Sequence, residues 1–159
     1  MRVLFVAALV TALVWPWPAA AQRQSQRPGE KPKAPIVQSL GCAEQRTGSP
    51  VTWWLVRASS ADAAPPGPFH ISQVEKAKGA ALGTNAFRLI GETDFLSVEE
   101  LLKSGERSRF TTPDTANASG QLRAGRKVLV KGLLVVPGDV GGEQRINLMS
   151  VVSLADSCG

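Results

Sequence analysis

The chain has 159 residues, of which 43% are apolar, and carries 18 Lys and Arg against 13 Asp and Glu. This length suits one small domain, and a charged fraction of 19% with near-zero mean hydropathy excludes a wholly disordered chain. No apolar run reaches the roughly 18 residues that a membrane-spanning helix needs. The formal charge of +5 is compatible with nucleic-acid binding, so the position of the basic residues matters.

The first 21 residues have the three parts of a secretory signal peptide. Arg2 is basic, residues 3–14 are apolar, and Ala19-Ala20-Ala21 offers a cleavage site with small side chains. A Trp-Pro-Trp-Pro run follows the apolar stretch, which is too short for the roughly 20 residues of a transmembrane helix. The sequence therefore predicts cleavage after residue 21 and a periplasmic or secreted bacterial protein.

Residues 22–35 hold no aromatic and no large aliphatic side chain, but four basic residues and three prolines. Such a composition cannot bury enough apolar surface to fold, which predicts a disordered basic leader. It would serve as a solvated spacer or attach the protein electrostatically to an anionic envelope surface. The remaining segment, 36–159, holds 13 basic and 12 acidic residues and is almost neutral, which argues against nucleic acid as a partner.

Segment 36–159 consists of short apolar runs separated by Gly, Pro, Ser and Asp, a pattern typical of a mostly β domain. Its runs are 36–42, 51–57, 86–91, 127–136 and 145–154, with a weaker one at 69–71. The glycines of 137–142 favour a hairpin between the last two runs. Alternation in the last run puts Ile146, Leu148, Val152 and Leu154 on one face of a strand.

One helix is indicated between the third and fourth strong runs. Ser97 and Glu100 have the spacing of a capping box, and Lys103 suits the helix C-terminus. Val98, Leu101 and Leu102 form a short apolar side that could close one end of a sheet. Three strands, one short helix and a two-strand hairpin together predict a five-stranded OB-like barrel over residues 36–159.

Several local motifs resemble those of small secreted bacterial proteins of unknown function with an OB-like barrel. The motifs are Leu40-Gly41-Cys42, Thr52-Trp53-Trp54-Leu55, Phe87-Arg88-Leu89-Ile90-Gly91, the segment 125–132, and Ser157-Cys158. The resemblance covers about 36–159 and implies a fold and a compartment, with no activity attached. A long segment at 106–121 after the helix departs from it.

The two cysteines, Cys42 and Cys158, are expected to form a disulfide in an exported protein. Cys42 ends the first predicted strand and Cys158 follows the last, and we expect these two strands to be neighbours in an OB-like barrel. A structural role is favoured over a redox role because the sequence has no C-x-x-C motif.

The residues needed for catalysis or metal binding are sparse. His70 is the only histidine, which with two bridged cysteines cannot complete a zinc site, and Asp139 with Glu143 does not supply the ligands of a hard-ion site. No activated serine accompanies His70, and 138–142 lacks the Lys and Ser or Thr of a phosphate loop. The sequence predicts neither an enzyme, nor a metal site, nor a cofactor.

A binding surface on the second and third strands remains, since OB barrels use these strands for oligonucleotides and oligosaccharides. The candidate residues are Trp53, Trp54, Arg57, Phe87 and Arg88, whose rings and guanidinium groups can stack on flat rings or sugars. Trp53 and Trp54 are adjacent and point to opposite faces, so one of them is expected in the core. We therefore predict a non-catalytic binding module for a small ligand, an oligosaccharide or an envelope protein. The alternatives are a structural or stress-protective envelope protein without a pocket and an extracellular nucleic-acid binder.

Overall fold

The computed structural model describes residues 34–103, 118–138 and 142–159. The predicted signal peptide and all but the last two residues of the predicted leader lie outside the described residues, as does most of the segment 106–121. The strands are β1 (Ile36–Arg46), β2 (Thr52–Ala58), β3 (Asp62–Ala63), β4 (Asn85–Ile90), β5 (Lys127–Val135) and β6 (Arg145–Ala155). The helices are α1 (Ile71–Lys78) and α2 (Val98–Lys103), with a 3₁₀ turn at Glu92–Phe95.

The six strands form one sheet in the order β2-β4-β6-β5-β1-β3, and β1 also pairs with β2. The five long strands therefore close in a ring. All neighbouring strands are antiparallel except β4 and β6, which are parallel. The mostly β class and the five strong strands are confirmed, whereas the two-residue β3, which continues along the edge of β1 beyond β2, was not predicted.

The interior of the ring is the main hydrophobic core. Its members come from alternating positions of all five long strands and from the segments around α2. They include Val37, Trp53, Leu55, Phe87, Leu89, Leu96, Leu122, Val128, Val130, Ile146 and Val151. Leu96 and Leu122 are brought together because the Gly120 amide donates to the Leu96 carbonyl and the Leu122 amide donates to the Phe95 carbonyl. Segment 118–122 thus returns to the sheet beside the 3₁₀ turn.

The prediction that β6 keeps one alternation throughout is wrong beyond Leu148. The register with β5 shifts between Lys131 and Gly132, so that the core positions are Ile146 and Leu148 before the shift and Val151 after it. A side chain at Gly132 would run into the Asn147 carbonyl, so this close approach requires glycine. Met149 is left facing outward and is 49% exposed.

The weak run 69–71 is the start of a helix, where an extended segment was indicated. His70 is the N-cap of α1: the Ser72 amide donates to its Nδ1, and its own amide donates to the Gln73 side-chain oxygen. These two bonds satisfy amides that would lack partners at a helix start. The helix α1 was missed because its apolar pattern is poor, and Ile71 is 73% exposed.

The second helix agrees with its prediction. The Glu100 amide donates to Ser97 Oγ over 3.2 Å, as expected of an N-cap serine. The helix covers Val98–Lys103, and Leu101 is buried. The N-cap serine and the apolar side therefore identified this element from sequence.

The predicted disulfide between Cys42 and Cys158 is present, with 5.9 Å between the two Cα atoms. The expected adjacency of the first and last strands is wrong, because β5 lies between β1 and β6. Cys42 is the register partner of Lys127 on β5, and Lys127 is in turn the partner of Ala155 on β6. The chain beyond β6 therefore returns past the start of β5 to reach Cys42, which is an interior position of β1 rather than its end.

Candidate functional site

Two of the five predicted surface residues belong to the core. Trp53 is 1% exposed and Phe87 is 2% exposed, and both lie in the interior cluster of the ring. A ligand on the surface cannot reach rings buried to this degree. Their role is to fill the core, where large aromatic side chains contribute most of the buried apolar area.

Trp54 and Arg88 are brought together on the outer face of the sheet. They are register partners across β2 and β4, and each is one position away from a core residue of its own strand. The indole Nε1 donates to Thr52 Oγ1 over 3.2 Å, which orients the ring. The side chain of Arg88 is 31% exposed, so its guanidinium can reach solvent.

The same row of the sheet contains residues that sequence reasoning missed. Glu44 on β1 is the partner of Trp54, and Arg145 on β6 is the partner of Arg88. Glu44, Trp54, Arg88 and Arg145 therefore form one row across four strands, which we call the outer row. No sequence signal links these four positions, because the order and register of the strands are needed to align them.

Arginines and carboxylates alternate around the outer row. Arg46 lies over the Trp54 ring, with its guanidinium carbon 4.1 Å from the ring centroid, and its Nε donates to Glu44 Oε1 over 2.6 Å. Arg88 Nη1 donates to Glu143 Oε2 over 3.4 Å. Both ion pairs are partly solvent-exposed, with side-chain exposures of 31–47%, so each contributes little to stability. Their groups remain accessible as donors and acceptors.

Arg57, the remaining predicted residue, has a different environment. It lies at the irregularity between Leu55 and Ala58 of β2 and has a positive φ of 50°. Its Nη1 donates to the main-chain oxygens of Cys158 and Gly159 over 3.5 and 3.4 Å. The guanidinium therefore contacts the segment that carries the disulfide through two long, exposed hydrogen bonds.

The helix α1 covers the outer face of β1 and β5 and also reaches the end of β6. Leu40, Ala77 and Leu129 form a second apolar cluster between the helix and these strands, and Leu154 of β6 packs against the same cluster. Two lysines of β5 attach the helix at both ends. Lys131, which is 0% exposed, donates to the carbonyls of Gly67 and Pro68 ahead of α1, and Lys127 donates to those of Lys78 and Ala80 at its end.

The ammonium group of Lys131 also lies 4.6 Å from the centroid of the Phe69 ring. The carbonyls and this ring replace the water that a lysine would otherwise bind, which allows the side chain to be fully buried. Lys131 therefore anchors the connection between β3 and α1 on the outside of the sheet.

Within the described residues, no three His, Cys, Asp or Glu side chains are grouped so that they could hold a metal ion. None of the described helices has the length and apolarity required to cross a membrane. The chain matches no protein-family model, and comparison with curated proteins and with solved structures gave no significant similarity.

Proposed function

We propose that the chain is an exported OB-like β-barrel that binds an oligosaccharide, without catalysis, on the outer faces of β2 and β4. A barrel of this class is supported by five long strands closing in a ring, with the β5–β6 hairpin inserted so that β6 pairs with β4. The resemblance to small secreted OB-like proteins points the same way. Export is supported by the residues of the predicted signal peptide and is compatible with the disulfide.

The observation that carries the proposal is the outer row. It combines one partly exposed indole with guanidinium and carboxylate groups on either side of it. An aromatic ring can stack on the apolar face of a sugar, while alternating donors and acceptors suit hydroxyl groups, which both donate and accept. This balance of charges differs from the continuous basic groove that a polyanion requires.

Binding should be measured by calorimetry with two neutral probes, a cello-oligosaccharide and a xylo-oligosaccharide. We expect saturable binding of at least one of them, and Trp54→Ala should weaken it about two- to tenfold, the scale of one stacked aromatic contact. Arg88→Ala should weaken it as well. The matched control is Arg123→Ala, which removes an exposed arginine outside β2, β4 and β6. Equal affinity in the Trp54→Ala variant and the parent would exclude this surface.

A second candidate, binding of single-stranded nucleic acid, is favoured by one observation. Three arginines from different strands lie along this surface: Arg46 over the Trp54 ring, Arg88 beside Trp54, and Arg145 one strand further on, although the segment 36–159 is almost neutral as a whole. Glu44 and Glu143 oppose this function because they pair with two of these arginines and would repel phosphates.

A salt titration with single-stranded oligothymidylate separates the two candidates. Nucleic-acid binding by the described domain predicts an affinity that falls steeply with salt and is lost with Arg88→Ala and Arg145→Ala. The oligosaccharide proposal predicts that any oligothymidylate binding disappears when residues 22–33 are deleted. The first result would replace our proposal with the second candidate.

A further inference from the structure

A cleft lies between α1 and the edge of the sheet formed by β1 and β3, away from the outer row. Its volume is about 390 Å³, and it is partly open to solvent. Leu40, Leu129 and Ala77 contribute its apolar floor. This volume falls in the lower part of the range of about 300–1,000 Å³ that is typical of small-molecule sites.

The walls of the cleft are held in place. Lys127 and Lys131 attach α1 at its two ends, as described above. On the sheet side, Ser39 Oγ donates to the Ser59 carbonyl over 3.0 Å, and Ser59 Oγ accepts from the Leu40 amide over the same distance. The cleft is therefore preformed, and a ligand would lose little affinity to reorganisation of its walls.

Two residues of opposite charge lie at the rim without an ion-pair partner among the described residues. Asp62 on β3 and Lys76 on α1 both line the cleft and are exposed. Neither makes an ion pair with another described residue, whereas Lys78, in the same turn of α1 as Lys76, pairs with Glu75 over 2.8 Å. The serine hydroxyls in the wall are already hydrogen-bonded, and Gln73 Nε2, also in the lining, donates to Gln38 Oε1 over 3.3 Å. Asp62 and Lys76 are the charged residues of the lining, so charge selectivity at this cleft rests on them.

We propose that this cleft binds a small zwitterion with an apolar body, of the size of a dipeptide. An ammonium group would face Asp62 and a carboxylate would face Lys76. The apolar side chains would pack along the apolar lining, which includes Ala80 and Ala81 as well as the small exposed parts of Leu40 and Leu129. A simple anion would be attracted by the ammonium of Lys76 but repelled by the carboxylate of Asp62. A simple cation would be attracted by Asp62 and repelled by Lys76, so neither would gain much binding free energy. The site is independent of the surface proposed above, and either can fail without the other.

The first test uses leucyl-leucine as the probe and the full chain, followed by two-dimensional NMR. We expect saturable shifts of the Leu40, Ala77 and Leu129 signals. Acetylating the amine of the probe or amidating its carboxyl group should each weaken binding about two- to fivefold, the scale of one exposed charge pair. Shifts confined to other residues, or no saturable shifts at all, would overturn the proposal.

The second test removes the charges from the protein. Asp62→Asn should abolish the preference for a free amine, and Lys76→Gln the preference for a free carboxyl group. The matched controls are Glu75→Gln and Lys78→Gln, which alter the same helix at residues outside the cleft and should leave both preferences unchanged.

Ala81 lines the cleft, is exposed and lies outside any helix or strand, so Ala81→Trp fills the cleft without disturbing the core. This variant should keep its thermal unfolding temperature and lose the shifts at Leu40 and Leu129. Unchanged binding of leucyl-leucine by Ala81→Trp would place the probe elsewhere and refute the assignment.

Discussion

The outer surface of the ring has two halves. In both, every second residue of a strand points outward, but the outward side chains are covered in one half and exposed in the other. On β1 and β5, outward residues pack beneath α1, and the basic residues Lys127 and Lys131 turn their amines towards main-chain carbonyls. On β2, β4 and the start of β6, the outward residues Trp54, Arg88 and Arg145 keep partly or fully exposed side chains, whereas Leu154 at the end of β6 packs against the cluster beneath α1. We call these the covered half and the open half.

The difference shows that an outward position in a strand does not by itself make a residue available to a ligand. What decides availability is which connection crosses the strand. The connection from β3 to β4 carries α1 over β1 and β5 and leaves β2 and β4 without a described element on top. A search for binding residues in such a ring therefore begins with the half that no helix covers.

The largest expected loss of stability comes from a substitution in the interior of the ring, and the matched substitution in the open half should have a smaller effect. Trp53→Ala should reduce the free energy of unfolding by about 3–5 kcal/mol, because it empties a site in the core. Trp54→Ala should cost less, about 1–2 kcal/mol, because its ring is partly exposed and loses its contact with Arg46 and only part of a buried surface. Urea unfolding of both variants measures the two losses in the free energy of unfolding. Similar losses in the two would show that the open half is a structural surface after all.

The disulfide lies where the two halves meet, since Cys42 has Val56 of β2 on one side and Lys127 of β5 on the other. Replacing both cysteines by serine should reduce the free energy of unfolding by about 2–5 kcal/mol. Adding dithiothreitol to the parent protein should produce the same loss, while the double variant should not respond to it. A parent protein that is equally stable when reduced contradicts this prediction.

Within the covered half, we expect Lys131 to contribute most to the stability of the fold. Lys131→Ala removes two hydrogen bonds and leaves a void beneath the β3–α1 connection, and we expect a loss of about 2–3 kcal/mol in the free energy of unfolding. Hydrogen exchange should become faster in α1 and remain unchanged in β4. Protection of α1 equal to that of the parent would mean that Lys131 does not hold the helix.

The smallest effect is expected at the other end of the same helix. Lys127→Ala removes a cation from the α1 C-terminus, where it is partly exposed, and should cost about 0.5–1 kcal/mol. Faster exchange should be confined to the last turn of the helix. A loss as large as that of Lys131→Ala would show that burial is not what separates the two lysines.

The strands could be predicted from sequence because runs of β-branched and apolar residues bounded by Gly and Pro are a local signal. The same holds for α2, whose N-cap serine precedes its apolar side. The helix α1 could not be found in this way. Its stability comes from His70 at its start and from Lys127 and Lys131, which are far away in sequence.

The candidate site was predictable only in part, for a related reason. Alternation correctly separates Trp53 from Trp54, and strand pairing was enough to propose Arg88 beside it. Arg46 and Arg145 join them only through the register of β1 and β6. The core positions of β6 were misassigned after Leu148 because a shift in register depends on the backbone contact at Gly132, which has no local pattern in sequence.

The position of β6 in the ring determines when the ring of strands can close during folding. It is the last of the described strands in chain order, yet it pairs with β4 on one side and β5 on the other. Until β6 arrives, both of these strands have free edges, which are prone to pair with other chains. Closure of the ring and pairing of Cys42 with Cys158 therefore both wait for residues 145–158. In a chain exported as proposed above, the earlier strands cannot complete the ring until this segment has also crossed the membrane.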